Sequence, residues 1–285
     1  MAWKELRVEN DHSKPHVNAD DYNSDEERNR GILEAAEKGI VTSTSVIANL
    51  PFNAASVSKL KAVFGPRIGI HLNLTKGMPI NRRATTLADE TGQFFLKRIA
   101  WRRALLHQYN LTEVEEEFAA QISRLRELGI TPDHLDGNNH LHIFPGVAEV
   151  VARLARDFNI KKIRLPWEKF INPLQYIQPK VFKKFFFSSL ARRAYLVFKS
   201  FGLLFSEHFA GIQFPRIAEI ESLQKFFHKL PPGITELMCH PGYQNASLQP
   251  TSGAIHEEEL FALNHPEVLD TIKRENINLI SYQDL

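Results

Sequence analysis

Apolar and polar residues alternate along the chain with two different periods. Short apolar runs at 42–48 and 67–74 predict buried strands, whereas apolar residues three and four positions apart at 112–129 predict an amphipathic helix. The same patterns predict further strands at 16–19, 133–136, 160–166 and 234–240, and further helices at 24–39, 53–65, 146–159 and 257–276. Strands that alternate with helices form a parallel sheet. About seven such units in one chain favour an α/β barrel over a doubly wound sheet.

The ends of these elements carry signals of their own. Ser24, with Glu27 three residues later, predicts the start of the first helix, and Gly65 predicts the end of the second. Lys14 and Pro15 are unfavourable in a buried central strand. The first strand is therefore expected to be short, or to share its place with the preceding segment 3–8.

Composition and charge exclude several classes of protein. The 285 residues are 43% hydrophobic and 24% charged, which is enough to bury a sizeable core. The net charge of +2 does not indicate a nucleic-acid partner. The single cysteine, Cys239, excludes an internal disulfide. Because neither a secretory signal nor a membrane-spanning run is visible, we expect a cytoplasmic protein.

Four polar clusters follow predicted strands: Asp20 with Asp21, His71, the segment 134–142, and His240. In a parallel barrel the carboxyl ends of all strands open on one face, so these clusters are expected to converge. Each cluster also has a purely structural interpretation, as a helix cap, a buried core histidine or a turn. Aspartate and histidine donors on one rim are, taken together, the ligand set of a hydrolytic divalent-metal site.

The segment 134–142 is the densest of these clusters. In an extended strand, side chains two residues apart point the same way, so His134, Asp136 and Asn138 would share one face. His140 and His142 would share a face too, if the strand continued that far. The sequence therefore predicts that part of this segment faces the site.

Five short stretches resemble the YdjC-like carbohydrate deacetylase family, which includes chitooligosaccharide deacetylases. They are "NADDYN" at 18–23, "VTSTS" at 41–45, "GIHLNLT" at 69–75, "HLDGNNHLHIFP" at 134–145 and "ELMCHPGY" at 236–243. The resemblance implies one deacetylase domain over 1–285, folded as a distorted (β/α) barrel, with a divergent basic and aromatic insertion at about 168–215. It also implies one divalent metal ion and hydrolysis of the N-acetyl group of an amino sugar.

The family's roles transfer to matching positions of this chain. The resemblance implies that Asp21 and His71 bind the metal, that Asp20 is the general base, and that His240 protonates the departing amine. It implies substrate contacts for Asp136, His142 and Tyr243.

The chain departs from the family's pattern at Asn138, where the family has its second metal-binding histidine. An amide oxygen suits Mg²⁺ or Mn²⁺ better than Zn²⁺. Three outcomes stay open: a weak, oxygen-rich site with Mg²⁺ as the first candidate before Zn²⁺ or Mn²⁺, a site shifted to His140, or a barrel that has lost its metal. The last would be a sugar-binding or regulatory protein. A further alternative is hydrolysis of a different bond, such as a phosphoester, on the same scaffold.

The segment 179–205 is rich in basic and aromatic residues and contains no acidic residue. One interpretation is ordinary barrel helices whose aromatic rings join the core. The other is a surface that touches anionic lipid or admits a lipid-linked amino sugar. A homodimer is a further expectation.

Overall fold

The computed structural model describes residues 13–168, 180–212, 216–244 and 250–285, and the predicted segment 3–8 lies outside them. Within these ranges, strands and helices alternate over most of the chain as predicted, but the helices at 97–105 and 220–228 and the strand at 208–210 were not predicted. The strands are β1 (Ser13–Tyr22), β2 (Ser43–Val46), β3 (Ile68–Leu72), β4 (His134–Gly137), β5 (Lys162–Ile163), β6 (His208–Ala210) and β7 (Gly233–Cys239). The helices are α1 (Glu26–Glu37), α2 (Ala54–Phe64), α3 (Lys97–Leu105), α4 (Leu111–Glu127), α5 (Val147–Asp157), α6 (Lys180–Ser200), α7 (Ile220–His228), α8 (Pro250–Leu263) and α9 (Pro266–Arg274).

The seven strands form one parallel sheet in the order β5-β4-β3-β2-β1-β7-β6. The sheet curls into a half-barrel, and its edges approach each other where Leu204, just before β6, pairs with β5. Leu204 donates its backbone N–H to the carbonyl of Lys161 at 2.8 Å and accepts from the N–H of Ile163 at 2.9 Å. The predicted distorted barrel of about seven parallel strands is confirmed.

The first strand is longer than the sequence suggests. β1 has ten residues and lies between β2 and β7, with Pro15 opposite Thr235. The carbonyl of Pro15 accepts from the N–H of Ile280, so this residue turns its backbone away from β7. The missing N–H of proline therefore costs no hydrogen bond of the β1–β7 ladder. This is the physical reason why the expectation of a short strand is wrong.

Helix ends agree with the sequence signals to within a residue. Asp25, and not the predicted Ser24, caps α1 by accepting the N–H of Arg28 at 2.9 Å. Gly65 ends α2 as predicted, with a φ of 55° that an L-residue with a side chain rarely adopts. Pro266 separates α8 from α9, because proline fits the first turn of a helix but not its interior.

The two faces of the sheet have different chemistry. The face toward the helices is apolar and includes Val17, Ala19, Ile70 and Leu135. The concave face carries polar side chains at the alternate positions, and in β1 these are His16, Asn18 and Asp20, all buried. Buried polar groups must find partners within the protein. Many side chains inside the half-barrel are joined by hydrogen bonds, among them Asn18 to Asp20 at 2.9 Å and His16 to Ser206 at 2.7 Å.

The segment 168–215 contains α6 and β6. Its parts 169–179 and 213–215 lie outside the described residues, so its status as an insertion into a single domain stays a prediction. Phe187 and Phe198 of α6 are fully buried, whereas Leu196 is exposed. No helix in the part of the chain that the structure describes combines the length and the apolar character needed to cross a bilayer.

Candidate active site

A cavity of about 230 Å³ lies at the carboxyl ends of the strands. It brings together most of the residues that the sequence singles out, although they come from β1, β3, β7 and the end of β4. These are Asp20, Asp21, His71, Asn138, His140 and His240. Its remaining wall is formed by Lys97, Trp101, Gly137, Asn139, Phe187, Gly211, Ile212 and Met238.

Asp20 and Asp21 both reach the cavity because the strand is irregular at this point. In a regular strand, adjacent side chains point to opposite faces. Here the register of β1 with β2 shifts between Ala19 and Tyr22, and Asp21 adopts a left-handed φ of 72°. The bulge turns the second carboxylate toward the same side as the first. Local backbone geometry thus converts a sequence pair into a pair of carboxylates at one site.

His71 is held between two carboxylates. Its Nδ1 lies 2.7 Å from Oδ1 of Asp136, and its Nε2 lies 3.4 Å from Oδ1 of Asp21. Burial alone would lower the pKa of His71, but Asp136, Asp20 and Asp21 outweigh it and raise the pKa to about 9. The carboxylate of Asp136 orients the ring so that Nε2 is the nitrogen nearest to Asp21.

Arg164 belongs to this site although no sequence motif points to it. It follows β5, is fully buried, and donates through Nη1 and Nη2 to both oxygens of Asp20 at 2.5 and 2.6 Å. Its Nη1 lies 3.0 Å from Oδ2 of Asp136, and its Nε donates to Glu236 at 2.7 Å. Burial raises the pKa of Asp20, but the guanidinium outweighs it and holds the pKa well below its usual range. Asp20 is therefore an ionised and fixed carboxylate.

The strand β4 does not continue through 134–142 as the extended interpretation requires. It ends at Gly137, and a 3₁₀ helix at Asn138–Ile143 follows, in which Asn139 and His140 have left-handed φ angles of 53° and 57°. His134 and Asp136 thus belong to the strand, whereas Asn138 and His140 lie on a turn. The strand therefore does not reach His140 and His142, and the condition for a face shared by these two residues is not met.

Asn138 is held at both ends of its amide. Its Nδ2 donates to Oδ1 of Asp21 at 2.9 Å. Its Oδ1 accepts from the hydroxyl of Thr75 and from Nδ2 of Asn139, each at 2.5 Å. The amide nitrogen therefore faces Asp21, and the oxygen faces away from it. Coordination of a cation beside Asp21 by the oxygen would need the amide to turn over.

His140 and His142 have different surroundings. His140 lies against the rings of Phe187 and Phe209, at centroid distances of 5.3 and 6.1 Å, and burial lowers its pKa well below the usual range. His142 is fully buried and donates from Nε2 to the carbonyl of Arg164 at 3.0 Å. Only His140 lines the cavity.

The loop after β7 holds His240 through its backbone. The N–H of His240 donates to Oε2 of Glu259 at 2.7 Å, and its carbonyl accepts from Arg28. The ring is left to line the cavity. Tyr243 lies elsewhere: its hydroxyl donates to Glu34 at 2.5 Å and its ring stacks under Arg30. Asp136, His142 and Tyr243, the predicted substrate contacts, thus lie outside the lining of this cavity.

This parallel half-barrel, with carboxylates and histidines around a cavity at the carboxyl ends of its strands, has the architecture of a barrel-type α/β enzyme. Comparison with known proteins identifies its family. The model of the YdjC-like protein family matches residues 16–274, and the chain belongs to this family.

Named relatives are similar over almost their whole length. The chain is 30% identical to a carbohydrate deacetylase of Mus musculus, with 94% of each chain covered. It is also 30% identical to a carbohydrate deacetylase of Halalkalibacterium halodurans, with 93% of this chain and 98% of the relative covered. The crystal structure of a protein from Enterococcus faecalis V583 has a TM-score of 0.77 at 24% identity, covers 96% of this chain and 98% of its own, and shares the fold.

Two groups of donor atoms in this site are candidate ligands for a divalent ion. Asp20, His71 and Asp136 offer ligand atoms within 4.8 Å of one another. Arg164 already lies between the two carboxylates of that group, and its positive charge opposes a second cation there. Asp21 Oδ1 and His71 Nε2 are 3.4 Å apart. Two ligands about 2.1 Å from one ion are about 3.0–3.4 Å apart, so the second arrangement fits better.

Proposed function

We propose that the protein hydrolyses the N-acetyl group of an amino sugar, with one divalent metal ion held by Asp21 and His71. The proposal rests on one observation: Oδ1 of Asp21 and Nε2 of His71 lie 3.4 Å apart in a cavity that also contains the ionised Asp20. The relatives named carbohydrate deacetylases support a hydrolase that acts on a carbon–nitrogen bond of a carbohydrate. Acceptable substrates include N-acetylglucosamine oligosaccharides and glycolipids.

The proposed metal would supply charge to polarise the acetamide carbonyl and to acidify a water molecule. Asp136 pairs with Nδ1 of His71, the ring nitrogen that does not face the proposed metal. In many metal sites a carboxylate in this position orients the histidine ligand. We therefore assign Asp136 a positioning role in place of a substrate contact. His142, bound to the backbone of Arg164, has a similar place behind the site.

Asp20 is the proposed general base. Oδ1 of Asp20 accepts from both Arg164 and Asn18, whereas among the described residues Oδ2 accepts from Arg164 alone, which leaves a lone pair of Oδ2 to accept a proton from water. A carboxylate with a depressed pKa is a weak base. Such a base is sufficient only for an acidified water, so the Arg164–Asp20 pair is consistent with metal-dependent chemistry.

His240 is the proposed general acid, which gives a proton to the departing amine nitrogen. Replacement of His240 by glutamine is expected to lower kcat about 10²-fold and to leave KM nearly unchanged, because leaving-group protonation matters only in the transition state. Acetate release measured over a range of substrate concentrations separates the two constants. The matched control is His256→Gln, whose ring centroid lies 6.2 Å from that of His240. Equal losses in both variants would contradict the assignment.

Asn138 is the proposed third ligand, through its oxygen after the amide turns. Asn138→His is expected to raise metal affinity about 10- to 100-fold, with the largest gain for Zn²⁺ and the smallest for Mg²⁺, because imidazole is a softer donor. Calorimetric titration with each ion measures the change. Asn139→His serves as the control, since Asn139 contacts Thr75 and Asn138 but not Asp21. Unchanged affinity, together with loss of the metal in His140→Ala, would assign the ligand to His140 instead.

Several more specific properties of the protein stay predictions. They are Mg²⁺ as the ion before Zn²⁺ or Mn²⁺, a lipid-linked form of the substrate, peripheral membrane contact through 179–205, a homodimer, and a cytoplasmic location. A contact of Tyr243 with substrate also stays a prediction. A sugar-binding barrel without a metal is less consistent with relatives that carry an enzyme's name.

An assay of acetate release tests the proposed function. Chelator-treated protein is incubated with N-acetylglucosamine oligosaccharides, alone and after addition of Mg²⁺, Mn²⁺, Zn²⁺ or Co²⁺. We expect acetate only after addition of an ion. Sugar binding without acetate release under any of these conditions would favour the non-catalytic alternative.

A further inference from the structure

We infer that the outward face of α3 docks the protein onto an anionic lipid bilayer. The face consists of Leu96, Ile99, Leu106, Arg98 and Arg102, and is called the α3 face below. The inference concerns a surface that the proposed chemistry does not use, and its test requires neither substrate nor metal.

Three aliphatic side chains of the α3 face are exposed to solvent. Leu96, Ile99 and Leu106 are 74%, 47% and 58% exposed. The opposite side of the helix is anchored in the protein, because Ala100 and Ala104 are buried. Ile99 and Leu106 are seven positions apart, which places them on one side of the helix, and Leu96 directly precedes its first residue. Single exposed leucines are common, but a stripe of them on one helix indicates an interaction surface.

The charge of this region has one sign. Residues 91–112 contain four lysines and arginines and no aspartate or glutamate. Arg98 and Arg102 are exposed and form no ion pair with any residue that the structure describes. Of the acidic residues that flank this stretch, Asp89 accepts from Thr91 and Gln93, Glu113 accepts four hydrogen bonds from Thr85 and Thr86, and Glu90 is exposed. The α3 face therefore presents positive charge beside aliphatic groups.

Exposed aliphatic side chains beside arginines are complementary to a bilayer surface with anionic headgroups. Arginine side chains reach phosphates while their aliphatic stems lie along apolar groups. Leucine and isoleucine side chains enter the boundary between headgroups and acyl chains. A nucleic acid would be complementary to the arginines but would leave the aliphatic stripe in water.

The neighbouring helix α6 has the same character. The ring of Phe187 in α6 packs on Trp101 of α3 at a centroid distance of 5.2 Å. Leu196 of α6 is 66% exposed, and the helix contains no acidic residue. By contrast, the exposed Phe261 of α8 follows Glu257, Glu258 and Glu259. Exposed apolar residues thus occur with positive charge on α3 and α6, but with negative charge on α8.

The position of α3 gives docking a consequence for the cavity. Lys97 and Trp101 of this helix line the cavity, and Trp101 donates its indole N–H to the carbonyl of Asn139 at 3.0 Å. A protein docked through the α3 face would therefore have its cavity on the other side of the same helix, one helix diameter from the headgroups. If the proposed deacetylation is correct, this placement favours an amino sugar attached to a lipid over a free oligosaccharide.

Binding to vesicles tests the inference directly. The full chain is sedimented with vesicles of phosphatidylcholine alone and of phosphatidylcholine mixed with phosphatidylglycerol. We expect binding to the mixed vesicles only. Arg98→Gln with Arg102→Gln should weaken binding about fivefold per arginine, the equivalent of the electrostatic contribution of each charge. Ile99→Ser with Leu106→Ser should weaken it about tenfold.

Controls make the outcome decisive. All substituted positions are exposed, and unchanged circular dichroism will show that the variants fold. Phe261→Ser removes an equally exposed apolar side chain from the acidic helix α8 and should bind like the unmodified protein. The inference is overturned by absence of binding, or by binding that the α3 variants do not change. It is also overturned if only the arginine variant weakens binding, which indicates a general polyanion surface, or if Ile99→Ser with Leu106→Ser converts a dimer into monomers.

Discussion

Replacing Asp20 with asparagine is expected to reduce acetate release by about 10²- to 10⁴-fold and to leave the bound metal in place. Asparagine keeps the shape of the carboxylate but cannot accept the proton from water. Replacing Asp21 with asparagine is expected to remove the metal instead, because Oδ1 of Asp21 is the oxygen that lies beside Nε2 of His71. Metal content after gel filtration and the rate of acetate release are measured for both variants.

The pair of variants also distinguishes the two candidate metal sites. If the ion were bound by Asp20, His71 and Asp136, Asp20→Asn would lose the metal and Asp21→Asn would retain it. If both variants retained metal and full activity, the assignment of either aspartate to the reaction would be incorrect. The two substitutions are conservative and adjacent, so each serves as a control for the folding of the other.

Replacing Arg164 with methionine is expected to lower the free energy of unfolding by about 3–5 kcal/mol. The guanidinium is fully buried and binds three carboxylates, those of Asp20, Asp136 and Glu236. Its removal leaves these buried negative charges close together, with the imidazole of His71 beside Asp136 as the remaining positive group. Denaturant unfolding followed by circular dichroism measures the change.

An exposed arginine provides the comparison for this variant. Arg156 pairs with Asp157 at 2.9 Å, and its side chain is 64% exposed. Arg156→Met should change the free energy of unfolding by less than about 1 kcal/mol, as is usual for surface ion pairs. Similar effects of the two substitutions would contradict the view that Arg164 stabilises the inside of the half-barrel.

The elements of the fold could be predicted because their patterns are local. The amphipathic helix predicted at 112–129 is α4 at Leu111–Glu127, and the strand predicted at 67–74 is β3 at Ile68–Leu72. The convergence of Asp20, Asp21, His71 and His240 also followed from the sequence, since a parallel sheet places all strand ends together.

Features that depend on distant partners could not be predicted. The length of β1 was underestimated because the backbone of Pro15 faces Ile280, which is 265 positions away in the chain. Arg164 was missed for the same reason, since its three carboxylates come from β1, β4 and β7. An arginine in the apolar setting of "IRLPW" after a predicted strand is the one local signal for it.

The turn after β4 was not predicted, for a different reason. Alternation in "HLDGNNHLH" is compatible with a strand, but Asn139 and His140 adopt left-handed φ angles. Asparagine tolerates this conformation better than most residues, so the Asn138–Asn139 pair was a usable warning of a turn. The turn brings the amide of Asn138 to Asp21, where the sequence alone placed it only by family resemblance.

We expect deacetylation to require one divalent ion at Asp21 and His71. The most direct test is to titrate metal-free protein with Mn²⁺ or Zn²⁺ while measuring bound ion and acetate release from an N-acetylglucosamine oligosaccharide in the same samples. We predict that activity rises in proportion to bound ion, reaches its maximum at one ion per chain, and disappears with the ion in His71→Ala. Full acetate release by protein that holds no ion, or a stoichiometric ion that persists in His71→Ala, would contradict the claim.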